Sequence, residues 1–534
     1  MAEPVKTGES GRGLVRSTGI ISGLIFLSRL LGLVREQVFA TLLGAGLYAD
    51  AFQAAFRIPN LLRDLFAEGA LSAAFVPTYT RALTEGGPER AYRLANRLMT
   101  LLAVVLVALV VIGFIFAEPL VRTLAPGFAK VPGKVDVTLQ LTRVMLPFLP
   151  LVSFAAVAMG MLNAHQRYAT PAFAPAAFNL VTILWASVLW AAGFSPAQVA
   201  LGWAVGTLVG GAAQFGIQIP ELWKAGWRPR LDWAPTDPDL RAMLSLMAPA
   251  TVGLAAVQVN IFVGTNFASY EQGAVAWLQY AFRILYLPIG IFGVAVGTVA
   301  TTGLSRRAAA GDMEGVRDTV ARALRFLCYL TLPATAGLMA LAVPVVRLLF
   351  ERGVFYAADT RATAAALLLY STGLVAYTGV KVLAPAFYAL RRPRVALLAS
   401  ASAVVTNLIV IGALHGRLGF RAIALGTALG SIVNAGVLIA TFESRGPGGL
   451  VRELFSPTVA KMVAAAAVMA PVAWYSAHML EAWVGTRGLR AQLVTGLVPV
   501  ALGGALYLAL SALLRVPEAA QLVHLARRSR GLKT

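Results

Sequence analysis

Charge is scarce in this chain, histidine nearly absent and cysteine present once, and each scarcity closes off a kind of chemistry. Only 13% of the 534 residues are Asp, Glu, Lys or Arg, about half the share of an ordinary soluble domain. The lone thiol, Cys328, sits in an apolar stretch and has no partner for an intramolecular disulfide. The four histidines, at 165, 415, 478 and 524, are too scattered to give metal-ligand spacing. The stretch nearest to a phosphate-binding loop, GFAKVPGKV at 127–135, has the wrong glycine spacing and no Ser or Thr after its lysine. No Ser/His/Asp or Cys/His arrangement stands out. Metal, nucleophilic and nucleotide chemistry are therefore not expected, and no cofactor is.

What the chain has is apolar length. It is 58% hydrophobic, and runs such as LMTLLAVVLVALVVIGFIFA at 98–117 recur from end to end. At 1.5 Å per residue, about 20 such residues cross a hydrocarbon core. The net charge of +21, from 45 Lys+Arg against 24 Asp+Glu, would suggest nucleic acid in a soluble protein. In a membrane protein it follows from the Lys/Arg bias of cytoplasmic loops, and no nucleic-acid partner is expected. These features predict an all-α polytopic membrane protein.

With Pro, Gly and charge clusters as breaks, fourteen helices are expected. They lie near 17–44, 49–82, 95–117, 138–164, 172–193, 197–222, 242–268, 273–303, 320–342, 360–390, 395–414, 420–442, 457–482 and 490–514. If the N-terminus is cytoplasmic, the cytoplasmic segments hold roughly 28 Lys+Arg and the opposite loops roughly 10. That bias predicts two cytoplasmic ends, a polar tail at 1–16 and a basic tail at 515–534. The first apolar segment is too long for a signal-peptide core and lacks a small-residue cleavage site, so a retained helix is expected there.

The sequence also repeats. AEPLVRTL at 117–124 matches AVPVVRLL at 342–349, and QAAFRI at 53–58 matches QYAFRI at 279–284. Arg81 and Arg307 close the following helix at the same spacing. Six helices per copy, an even number, give both copies one orientation in the membrane, as in transporters with parallel repeats. Two six-helix lobes are expected, at 17–222 and 242–442, with two further helices at 457–514.

Charged residues inside these helices are the candidates for function. At 100° per residue, Asp50, Gln53, Arg57, Asn60, Asp64 and Glu68 fall within an arc of about 80° on the second helix, which Pro59 is expected to kink. An amphipathic helix lying on the membrane surface is the alternative for this segment. On the first helix Ser22, Arg29 and Glu36 share a face, with Ser28, Gly32 and Arg35 beside it; the eighth adds Arg283. These arginines could simply pair with Glu36, Asp50, Asp64 and Glu68 and brace the helices. Yet Arg29, Arg35, Arg57, Arg63 and Arg283 are five cations against four carboxylates. A surplus of cations within the membrane implies a missing anion, and the planar guanidinium binds phosphate or carboxylate through two parallel bonds. Lys381 is either a carboxylate's partner or an interfacial lysine, and the eighth-helix glycines in GIFGVAVGTVATTG are expected to allow close helix packing.

SRLLGLVRE, ADAFQAAFRIPNLLRDLFAEGALSAAFVP, APGF (125–128), TPAFAPAAFN (170–179) and KVLAPAFY (381–388) together resemble the MurJ/MviN family over roughly 17–515. The resemblance implies a fourteen-helix flippase of the MOP exporter type for lipid II, the undecaprenyl-diphosphate-linked disaccharide-pentapeptide precursor of peptidoglycan. It implies a cationic central cavity, a lipid-tail groove at 457–514, a place in the bacterial inner membrane, and transient contacts with cell-wall synthesis proteins. The family's functional arginines fall on Arg29, Arg35, Arg63 and Arg283, and its early second-helix acid falls on Asp50. Glu36 stands where an aspartate is common, and Arg57 where some relatives have lysine. Two departures stand out. Phe282 replaces an aspartate found in some relatives, and no carboxylate occurs in 242–268 or 395–414, where some relatives bind sodium.

The expected function is alternating-access flipping of lipid II, with Arg29, Arg35 and Arg283 on the diphosphate and Arg57 and Arg63 on the cytoplasmic gate. Membrane potential would drive it, and no metal is expected. The alternatives are a flippase for another lipid-linked oligosaccharide and a drug exporter of the same superfamily, which would want acidic cavity residues. A glycosyltransferase would need outer-face carboxylates, where Asp136 and Asp359 lack partners. A cell-wall scaffold would not need intramembrane arginines.

Overall fold

The computed structural model describes residues 11–64 and 71–521, without the side chains of 11–22, 72, 73, 246 and 248–257. Among the described residues the chain is helical and has no strand. Glu68, most of the two tails, and the Ser22 side chain lie outside them. The backbone divides into two compact units that meet within one helix, after Gln258.

The first unit contains α1 (Gly11–Leu43), α2 (Leu47–Arg63), α3 (Ser72–Ile115), α4 (Ala117–Leu124) and α5 (Lys134–Met145). It continues with α6 (Phe148–Ala164), α7 (Ala169–Ala191), α8 (Pro196–Gly216), α9 (Ile219–Lys224) and the start of α10 (Pro238–Ala268). α1 packs on α7, α2 on α5, and α3 on α6. Leu94, Leu98, Leu102 and Leu106 recur at four-residue spacing on α3 and are buried against Leu149, Val157 and Met161, as one apolar helix stripe requires. The loop expected between 82 and 95 is a single bend inside α3. Gly87 there has φ of 74°, a left-handed value that glycine adopts without strain, and Pro88 restarts the helix.

The second unit contains α11 (Ala274–Pro288), a π-helical turn (Ile289–Gly293), α12 (Val294–Ala309), α13 (Met313–Ala340) and α14 (Ala342–Phe350). α15 (Ala357–Ser371), α16 (Leu374–Ala389), α17 (Pro393–Leu418) and α18 (Arg421–Arg445) follow, then α19 (Leu450–Leu454), α20 (Pro457–Val484) and α21 (Leu489–Leu513). Gly293 and Gly297 let α16 approach closely, since a Cβ on Gly297 would stand 2.7 Å from the Lys381 carbonyl oxygen. Helices α20 and α21 pack on α13 and α14. Arg347 on α14 reaches Glu481 on α20 at 2.5 Å, and Arg325 on α13 reaches Glu453 at 2.5 Å and Glu518 at 3.4 Å. The described start of the expected basic tail, 515–521, is therefore docked on the second unit. Likewise the last six residues of the expected N-terminal tail, 11–16, are helical and belong to α1.

The repeat is visible in backbone geometry. α4 and α14 each follow a long helix through one residue of matching conformation: Phe116 (φ −94°, ψ 18°) and Leu341 (φ −109°, ψ 20°). Ten helices are long and apolar enough to cross a membrane, or eleven if α15 and α16, bent by 45°, form one span. Fourteen is not reached by that measure among the described residues. Residues 11–22 of α1 lie outside the described side chains and the remainder carries Arg29, Arg35 and Glu36, α2 has only 17 residues, and much of α10 lies outside the described side chains.

Candidate functional site

Gly46 precedes α2 as its cap, and the helix's first-turn acid is Asp50, a position the helix dipole favours for a negative charge. Asp50 is 0% exposed. Its Oδ2 accepts a hydrogen bond from Lys134 Nζ at 2.7 Å, and that ammonium also lies 4.1 Å from the Phe128 ring centroid. Neither partner meets water. Lys134, at the first position of α5, has no sequence signal as a site residue beyond the failed phosphate-loop match. The one pattern that could have pointed to it is the α5 stripe it shares with Thr138 and Thr142, all three buried.

The polar stripe of α2 continues from buried to half-buried: Gln53 is buried, and Arg57, Asn60 and Asp64 are partly exposed. The apolar face, Ala51, Phe52, Ala54, Ala55 and Ile58, is buried, so α2 is part of the bundle rather than a helix lying on its surface. It runs through Pro59 unbroken. At its end Arg63 donates through Nε and Nη2 to Asp64 Oδ1, at 3.2 and 2.8 Å, while Gln258 Nε2 donates to Asp64 Oδ2 at 3.3 Å.

On α1, Arg35 pairs with adjacent Glu36 at 2.7 Å and lies 5.2 Å from the Phe178 ring centroid of α7. The Ser28 carbonyl accepts from Asn179 Nδ2 at 3.1 Å, fixing α1 against α7. Arg29 is exposed and forms no ion pair among the described residues. In the second unit Arg283 on α11 is exposed, and the neighbouring Phe282 ring packs against Tyr286, Tyr370 and Tyr377. Lys381 on α16 is exposed and has no ion pair among the described residues. Asp359 is engaged locally, accepting from Trp277 Nε1 at 2.9 Å and from the Tyr356 backbone amide.

Three of the four carboxylates named in the bracing scheme lie among the described residues. Glu36 and Asp64 take the arginine next to each in sequence, and Asp50 takes a lysine. None of these pairings uses Arg29.

A second polar cluster, which no sequence pattern announces, lies at the end of α6. His165 Nε2 is 3.1 Å from Tyr79 OH, and its ring stacks on Tyr92 at 5.8 Å. It therefore touches α3 on both sides of the Gly87 bend. Burial lowers the His165 pKa, and the nearby Arg167 cation, held by Glu221 at 2.6 Å, lowers it further.

All-helical apolar spans, an internal repeat and intramembrane arginines describe a multi-pass membrane transporter. The model of the family "Lipid II flippase MurJ" matches residues 39–491. A probable lipid II flippase MurJ of Vibrio cholerae is 33% identical over 512 residues, covering 94% of this chain and 96% of the relative. One from Rhizobium tropici is 36% identical over 480 residues, 89% of each chain. A solved lipid II flippase MurJ in an inward closed conformation superposes with a TM-score of 0.76 at 23% identity, covering 92% of this chain and 98% of that one. An inward-facing MATE-family multidrug transporter of the MOP superfamily follows at 0.66 and 17%, covering 78% and 95%. The chain belongs to the lipid II flippase MurJ family, a family of transporters and not of enzymes.

Proposed function

We propose that this chain carries lipid II from the cytoplasmic to the periplasmic leaflet of the bacterial inner membrane, for peptidoglycan synthesis, by alternating access with both termini cytoplasmic. Family membership supports the substrate. The observation that carries the mechanism is Arg29, an exposed guanidinium on α1 that forms no ion pair among the described residues. A charge at the centre of a span costs about 2.5–3.5 kcal/mol on insertion scales, and an anionic ligand offsets that cost. Arg29 and Arg35 on α1 and Arg283 on α11 hold the diphosphate. Arg57, Asn60 and Arg63 line the cytoplasmic approach along the α2 stripe, with Ser28 and Glu36 beside the arginines. Asp50 acts from behind, keeping α2 against α5 through Lys134.

Electrostatics supplies a drive. An inside-negative potential is worth about 2.3 kcal/mol per charge per 100 mV, so a diphosphate with about two negative charges moves outward downhill. The same field draws the emptied cationic path back.

The test is rescue of cells depleted of their own flippase, with lipid II exposed outside as the readout. Arg29→Ala and Arg283→Ala should lose rescue at normal membrane abundance, and Arg35→Ala, which leaves buried Glu36 without its guanidinium, is compared with Arg35→Ala/Glu36→Gln. The loss should be about ten- to a hundredfold in ligand binding per charge-assisted bond. Abundance falling together with rescue would refute the ligand role and favour bracing.

A further inference from the structure

We propose that the strap at 225–237, between α9 and α10, is an interfacial anchor seated on anionic phospholipid headgroups. The strap has neither helix nor strand and is bonded to α3 along its length. Tyr92 OH donates to the Ala225 carbonyl, buried Trp227 donates through Nε1 to Asn96 Oδ1 at 2.9 Å, and Asn96 Nδ2 donates to the Arg228 carbonyl at 3.2 Å. One helical turn further along α3, the Asp232 amide donates to Thr100 Oγ1 at 3.1 Å. Arg97 binds both Asp232, at 2.9 Å, and Asp237, and Arg90 holds Asp239 at 2.8 Å.

A segment held this firmly nevertheless turns large apolar side chains outward: Leu231 is 91% exposed and Trp233 59%. Its aspartates are engaged by arginines of α3, which leaves exposed Arg228 and Arg230 as the strap's outward charge. Position says what covers this face. Asp232 lies beside Thr100, two residues into the apolar run of 98–117. The next exposed residues along α3 are Val104, Val105 and Val107, the lipid-facing side of a membrane span. Leu231 and Trp233 therefore continue the lipid-facing surface of α3. The arginines sit about one turn back toward Asn96, where headgroups lie. Aromatic and aliphatic groups at the acyl boundary with arginines among the phosphates is the arrangement an interfacial segment needs.

The test uses the full chain in nanodiscs. Leu231→Cys carries an environment-sensitive fluorophore, and Ala310→Cys, in the exposed turn after α12, is the aqueous control. Cys328 is buried and stays in place, with the unsubstituted chain giving the labelling background. The label at 231 should be quenched by nitroxide phospholipid and shielded from iodide, with the reverse at 310. Nitroxide phosphatidylglycerol should quench better than nitroxide phosphatidylcholine. That enrichment should fall by about fivefold per arginine removed in Arg228→Gln and Arg230→Gln. Equal iodide access at 231 and 310 would overturn the anchor and make the strap a water-facing surface for a protein. Lipid quenching with no anionic preference, or a preference that survives both Gln substitutions, would overturn the headgroup contact.

Discussion

Replacing Lys134 by methionine keeps the length of the side chain and removes its charge, which strands Asp50 in a site that is 0% exposed. At 2.7 Å and an effective dielectric of about 20, the lost attraction is about 6 kcal/mol. Desolvating the two ions opposes most of that, so the intact pair contributes little beyond what apolar residues would. Removing one partner is different. It leaves a buried charge uncompensated, a cost of about 3–5 kcal/mol. Lys134→Met also gives up the stacking on Phe128, worth up to about 2 kcal/mol in a desolvated setting. Asp50→Asn should destabilise comparably, whereas the double variant should recover much of the loss. The assay is a double-mutant cycle on thermal unfolding in one detergent, with membrane abundance measured alongside. If the two single losses simply add in the double variant, or if Lys134→Met is as stable as the parent, the pair is not a structural unit. A stable Asp50→Asn that fails only in flipping would instead make Asp50 a substrate contact.

Two further perturbations test other joints. Arg347→Leu or Glu481→Gln should loosen α20 from α14 and raise protease cleavage in the 485–488 turn, and unchanged cleavage of both would refute that attachment. For His165, the folded pKa is lowered, so the unfolded chain binds the proton more readily. Stability is then full above the ordinary histidine range near pH 6.5 and declines as pH falls through it toward the folded value. The parent should lose more stability between pH 7.5 and 5.5 than His165→Gln (midpoints near the usual histidine pKa), and parallel curves would refute the assignment.

Helix placement was largely legible because apolar length is imposed by the bilayer and not by partners. Each of the expected segments meets a helix, and two of the departures occur where one residue sets the backbone. Gly87 turns an expected loop into a bend. Gly373 splits the expected 360–390 helix where a Cβ would stand 2.9 Å from Ala428 Cα on α18, a close crossing no local pattern announces. At the candidate site the stripe on α2 and the arginines of α1 were readable from spacing. Their partners were not, because an ion pair between Asp50 and Lys134 joins residues 84 apart and depends on how α2 meets α5.

The repeat shows how a chain can put one motif to two uses. In AEPLVRTL, Arg122 has Glu118 one turn away on α4 and forms an exposed pair with it at 2.9 Å, the kind of contact that contributes only a few tenths of a kcal/mol, about 0.3–0.5. In AVPVVRLL the corresponding position is Val343, so Arg347 has no acid in the preceding turn. It pairs forward, at 3.7 Å to Glu351 and at 2.5 Å to Glu481 on α20. Both of those carboxylates are more shielded than Glu118, which makes the contact stronger than its counterpart. Without an acid at that position in the second copy, the arginine is available to fasten a helix that the first copy does not have. Gln492 of α21 adds to the same place by donating to the Glu351 carbonyl at 3.2 Å. The two helices outside the repeat are therefore attached through a repeat position that lacks the local partner its counterpart has.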